Sequence, residues 1–173
     1  MRNAICSILP RLELAPKGHV PQHHHEACGM KVRDIMTRNV LTLEPECPIL
    51  EAMNIFARRI RFRHLPVVKN GRLRGLLTPF DLLGTDREET RSATVACIMK
   101  TNIRTIAPDA EAVEAGQLML AEGLGCLPVA DGDGRLMGII TGSDFLRIAV
   151  TCMQAKQAVH SAAENSNVLH SGR

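Results

Sequence analysis

The chain writes one pattern twice. Set against itself at an offset of 63 residues, Ile35-Met36 falls on Ile98-Met99, Thr42 on Thr105, Pro45 on Pro108 and Glu51-Ala52 on Glu114-Ala115. Further along, Gly71-Arg72-Leu73 falls on Gly134-Arg135-Leu136, Gly75 on Gly138, Thr78 on Thr141, Asp81 on Asp144 and Leu83 on Leu146. Leu65-Pro66-Val67 matches Leu127-Pro128-Val129 at an offset of 62, so the second copy has lost a residue before this tripeptide and regained it in the next turn. A unit of about 55 residues buries too little surface to be comfortable alone. Two copies packed face to face solve that problem.

Each copy reads as strand, helix, strand, strand, helix. In the first, Val40 to Leu43 is a short β run ended by Pro45, and Ile49, Ala52, Met53, Phe56 and Ile60 recur at helical spacing. Leu65–Val68 and Leu73–Leu77 are apolar strands around Asn70-Gly71, a strong hairpin signal. Thr78-Pro79 opens a short helix that Gly84 can close. In the second, a strand at Ile103–Ile106 precedes a helix at Ala110–Glu122 with Gly123 as its C-cap. Strands Leu127–Ala130 and Leu136–Ile140 then flank an Asp-Gly-Asp-Gly turn, and a last helix starts near Gly142 and runs to about Ala163. The expected organisation is a tail at 1–29, repeats at 31–84 and 94–150 joined by a charged linker at 85–93, and a helical extension and tail at 151–173.

The ordered string Val32-x-Asp34-Ile35-Met36-Thr37, Thr42, Leu65-Pro66-Val67-Val68 and Gly75-Leu76-Leu77-Thr78-x-x-Asp81 resembles a cystathionine β-synthase (CBS) domain. With its second copy, the chain resembles a CBS pair, or Bateman module, over about residues 31–150. The resemblance implies a mixed α/β (α+β) fold of two β-α-β-β-α repeats related by a pseudo-two-fold axis. It also implies adenine-nucleotide clefts between the repeats, a tendency to homodimerise, and regulation of an attached or partner protein. About 30 residues precede the pair and about 23 follow it, so a stand-alone module is expected.

At Gly-h-h-Thr-x-x-Asp a strand ends and a helix begins. The first helical N–H groups lack intrahelical partners and attract phosphate, while the carboxylate suits ribose hydroxyls. The resemblance assigns these roles to Thr78 and Asp81 in one cleft, and to Thr141, Ser143 and Asp144 in the other. Thr-x-x-Asp is also close to a helix capping box, which needs no ligand. The two positions before Leu-Pro-Val can face phosphate or base in the family, which implies Arg63 and His64 in the first copy, against Gly125 and Cys126 in the second. The clefts are therefore expected to be unequal, the first preferring more phosphate charge. With no Trp or Tyr, adenine needs an aliphatic slot, for which Val40, Leu65, Ile103 and Leu127 are candidates. Thr37, Pro66 and Pro128 complete the candidate residues. The candidate ligands are AMP, ADP, ATP, S-adenosylmethionine and NADH, and no obligatory cofactor is expected.

Composition removes several other classes. No apolar run approaches a membrane span, and six scattered Cys without a C-x-x-C pair form no zinc ribbon or redox motif. A cytoplasmic location is expected. His23-His24-His25 with Cys28 has metal-ligand chemistry, but one short segment supplies every ligand and no metal site is expected. Cys126 is either a redox-sensitive gate or, better, a buried small hydrophobe. Lys and Arg number 12 against 8 acidic residues in 31–91, and 4 against 7 in 92–150. The basic half leaves a nucleic-acid or polyanion binder as an alternative, though aromatics at 2% argue against base stacking. A ligand-free dimerisation unit is the third possibility. An enzyme is disfavoured: no P-loop, nucleophile elbow or metal pair is visible, and His64 is the only histidine within the repeats.

Overall fold

In the computed structural model, residues 29–58, 62–83 and 93–170 are described, with side chains to 158. The expected tail before Gly29, its His-rich patch and most of the expected linker lie outside them. Two antiparallel hairpins organise the fold. Strand β1 (Leu65–Lys69) pairs with β2 (Arg72–Leu77), and β3 (Cys126–Ala130) with β4 (Leu136–Thr141). The first hairpin closes on Asn70 (φ 54°) and Gly71 (φ 76°), two successive left-handed residues, as the Asn-Gly pair predicts.

Among the described residues, four α-helices flank the hairpins. They are α1 (Val32–Ile35), α2 (Ile49–Arg58), α3 (Ala112–Glu122) and α4 (Gly142–His170). Helix α2 buries Ile49, Ala52 and Phe56 of the face that the periodicity marked, while Met53 is exposed and Ile60 lies outside the described residues. Helix α3 ends at Gly123 in the left-handed conformation, the expected C-cap. The last helix runs past the expected Ala163 to His170.

Two expectations change. The first strand of each copy is a single bridge: Leu43 with Val67, and Ile106 with Val129, both parallel. The short apolar runs make one ladder contact each because Pro45 and the turn around Pro108 end them. The helix after Thr78 is a four-residue 3-10 turn, Pro79–Leu82, whereas its counterpart continues as α4.

The repeats also cross. The Val32 N–H donates to the Ala110 carbonyl and Arg33 N–H to Pro108, while Val95 N–H donates to Cys47 and Ala96 N–H to Pro45. Thr37 and Ile139 exchange both backbone bonds at 2.9 Å, and Leu76 and Lys100 exchange both at 2.9 and 3.0 Å. The leading segment of each repeat thus adds to the other's hairpin. One core holds Val32 and Met36 among Ile106, Ala115, Met119, Leu127, Val129 and Ile140. The other holds Val95 among Leu43, Ala52, Phe56, Leu65, Val67 and Leu77, with Ile98 and Met99 packed against it. Matching bonds, Leu73 N–H to Gly134 and Leu136 N–H to Gly71, tie the hairpin tips together. The pseudo-two-fold relation is therefore present bond by bond.

Two glycines permit the crossing. A Cβ on Gly75 would lie 2.7 Å from Met99 Sδ and 2.8 Å from the Lys100 carbonyl; on Gly138 it would lie 2.7 Å from Met36 Sδ and 2.8 Å from the Thr37 carbonyl. The opposite charges of the two halves meet here as well. Lys31 pairs with Glu111 at 2.5 Å, and Arg33 pairs with Asp109. Part of the charge complementarity is satisfied within the chain.

Candidate functional site

Each hairpin delivers a Thr to its end and an Asp one turn later. The Asp81 Oδ2 accepts from the Thr78 N–H at 2.7 Å and from its hydroxyl at 2.6 Å. The Asp144 Oδ2 accepts from the Thr141 N–H and hydroxyl, both at 2.8 Å. The capping geometry is real in both copies, and it fixes each carboxylate while leaving Oδ1 turned to other partners. For Asp144 that partner is Arg147, 3.3 Å away on the same helix. For Asp81 it is Lys100, whose Nζ stands 3.5 Å away and belongs to the other repeat.

The crossing decides which candidates share a cleft. Lys100, bridged to Leu76 and paired with Asp81, starts the segment that leads to Ile103. Thr37, bridged to Ile139 on the strand that ends at Thr141, starts the segment that leads to Val40. A cavity of about 330 Å³ is lined by Leu73, Arg74, Thr101, Ile103 and Thr105 with Ala130, Asp131, Gly132 and Gly134. It holds Ile103 but neither Thr78 nor Asp81, so the hollow and the polar pair occupy opposite ends of β2. The segment 100–105 runs between them.

The residues before Leu-Pro-Val meet at the axis. A Cβ on Gly125 would lie 2.9 Å from His64 Cε1, so the imidazole of one repeat rests on the backbone of the other. Burial, and then the charges of Arg63 and Lys100, hold His64 below the usual imidazole range. The unfolded chain therefore takes up a proton at higher pH than the folded one. Stability is expected to fall as pH drops below about 6.5. Urea unfolding at pH 7.5 and 5.5 should show a smaller loss in His64→Gln than in the parent chain.

Several candidates are placed differently from expectation. Leu65 and Leu127 have no exposed surface, and Pro66 and Pro128 are fully buried. The two leucines are core side chains rather than an aliphatic wall: Leu65 packs in one apolar core and Leu127 in the other. The proline carbonyls accept from Leu43 and Ile106. Ile103 and Val40, both half-buried, are the apolar candidates left with accessible surface. Cys126 is buried, and burial pushes its thiol up to about 12, which removes the thiolate that redox gating requires. Arg63, Thr37 and Ser143 are exposed. The Pro79 position carries no N–H and heads only a short turn, so the first cleft has little helix dipole to offer an anion. Lys100 escaped the sequence reading. Its signal was the mismatch at offset 63, Lys100 against Thr37.

Among the described residues no group of three or more His, Cys, Asp and Glu could hold a metal ion, and no helix is long and apolar enough to cross a membrane. The CBS domain family model matches residues 32–88 and again 95–151. The chain belongs to the CBS domain family. A CBS domain-containing protein of Dictyostelium discoideum is 34% identical over 136 residues, covering 71% of this chain and 93% of that one. An uncharacterized protein of Methanocaldococcus jannaschii is 30% identical over 119 residues, 69% of this chain; the chain spans only 44% of that protein. Among solved structures, CBSX2 from Arabidopsis thaliana in complex with AMP superposes with a TM-score of 0.65 at 27% identity, covering 70% of this chain and 97% of that one. The resemblance drawn from the ordered motifs is thus confirmed, as a tandem CBS pair of mixed helix and strand.

Proposed function

We propose that this CBS pair is a regulatory module that binds adenine nucleotides in two unequal clefts and signals through a dimer or a partner surface. The observation that carries the reading is the pair of preset Thr–Asp constellations, each facing the leading segment of the opposite repeat. A nucleotide lying there touches both repeats at once, so its binding energy acts on the joint between them. The binding of AMP by CBSX2 supports the ligand class. The reading assigns binding to the clefts and no catalysis.

The first cleft gathers Arg63, His64 and Lys100. The second has Thr37, Gly125 and Cys126 in the matching places, with Arg147 already held by Asp144. Adenosine, AMP and ATP should therefore be compared in Asp81→Ala and Asp144→Ala. The Asp144→Ala chain, which keeps the first cleft, is expected to favour the phosphorylated ligands more steeply. Equal charge preference in both variants would sink the inequality.

The dimer reading rests on matched exposure. Leu50 (48%) corresponds to Val113 (58%), and Leu83 (73%) to Leu146 (66%), and Phe80 is 79% exposed. Apolar residues exposed at equivalent positions of both repeats follow the approximate two-fold symmetry of the pair and offer contacts to a second copy of the chain. Leu146→Glu is expected to shift sedimentation toward the monomer; a parent chain that sediments as a monomer would count against the dimer.

A further inference from the structure

Lys100 has no counterpart in the second cleft, and its position is unusual in three respects. It enters the first cleft from the second repeat, fixed by the paired backbone bonds between Lys100 and Leu76. Its ammonium faces the one oxygen of Asp81 that the Thr78 cap leaves free, at 3.5 Å. The side chain is still 64% exposed, whereas the Asp81 side chain is 10% exposed. An exposed lysine tied to a nearly buried carboxylate is a cation held in place without being used up, on a flexible four-carbon stem.

The second cleft is built otherwise. Thr37 takes the place of Lys100, and the cation on Asp144 is Arg147 from the same helix. Arg38, next to Thr37, donates to the Arg33 carbonyl at 2.9 Å. The second cleft also opens on the long helix α4, while the first has only the Pro79–Leu82 turn. The first cleft must therefore draw its attraction for an anion from side chains.

We propose that Lys100 sets the ligand selectivity of the first cleft, its ammonium distinguishing a phosphorylated adenosine from adenosine itself. The inference rests on the nucleotide reading of the clefts. When the ribose hydroxyls take Asp81 Oδ1, the ammonium is released toward the ligand's phosphate, so one ligand replaces a cross-repeat ion pair by contacts to both of its members. The family resemblance brings Arg63 and His64 of the first repeat to the same cleft, and Lys100 joins them from the second. Burial first, and then the charges of Arg63 and Lys100, lower the His64 pKa.

The test is calorimetric titration of AMP and of adenosine in an Asp144→Ala background, adding Lys100→Thr or Lys100→Arg. Lys100→Thr is expected to weaken AMP about tenfold, the scale of a lost charge-assisted hydrogen bond, while adenosine changes less than about twofold. Lys100→Arg is expected to keep most of the AMP affinity. Should Asp144→Ala fold poorly, Thr37→Lys in the otherwise unchanged chain is expected to raise the AMP preference of the second cleft. An unchanged AMP-to-adenosine ratio, or equal losses of both ligands, would overturn the role of Lys100 and leave the nucleotide reading standing. If the parent chain bound neither ligand, that reading would fall and the selectivity role with it.

Discussion

Gly138→Ala is expected to destabilise the whole chain by about 2 kcal/mol, lowering the unfolding temperature by about 5 °C. The new methyl would sit 2.7 Å from Met36 Sδ and 2.8 Å from the Thr37 carbonyl. The thioether can swing aside, since methionine adapts. The carbonyl cannot, because Thr37 is locked to Ile139 by two backbone bonds at 2.9 Å. Gly75→Ala should cost a similar amount, as the distances to Met99 and Lys100 are the same. Gly132, whose Cβ would meet nothing within 4 Å, is the control; its alanine variant should stay within about 0.5 kcal/mol of the parent. Thermal unfolding followed by circular dichroism separates the three variants. Equal stabilities would mean that the crossed segments do not press on these glycines.

Leu127→Ala is expected to cost about 3 kcal/mol, since the side chain is completely buried and leaves a cavity among Val32, Met36 and Met119. The more informative expectation concerns cooperativity. Two of the neighbours, Val32 and Met36, belong to the first repeat, and Val95 of the second repeat lies in the other core. Damage to one core therefore loosens a segment anchored in the other. Urea unfolding of Leu127→Ala should show one transition, coincident for probes placed in either repeat. Two separated transitions, with the first repeat unfolding as in the parent, would contradict the crossed architecture.

The sequence made much of this legible for a physical reason. A hairpin joined by Asn-Gly, a glycine C-cap and apolar spacing in α2 are local signals, and all three appear where the chain marks them. The Thr78–Asp81 and Thr141–Asp144 pairs were readable for the same reason, since their bonds span only three residues. The crossing was not readable: it depends on contacts such as Thr37 with Ile139, far apart in the chain. Its trace was present, however, in the matched Met36/Met99 and Gly75/Gly138. Repetition showed that these positions matter but not that each methionine lies over the other repeat's glycine. The same blindness hid Lys100, whose function depends on facing Asp81 across the joint. Leu65 and Leu127 were misplaced for the opposite reason, because successive residues of each strand are buried and no alternation marks a face open to a ligand.

Calorimetric titration of AMP into the unmodified chain tests the central claim most directly. Saturable binding is expected in two unequal events, with adenosine weaker than AMP in at least one of them. Absence of binding by AMP, and equally by ADP, ATP, S-adenosylmethionine and NADH, would contradict the assignment of the clefts to adenine nucleotides.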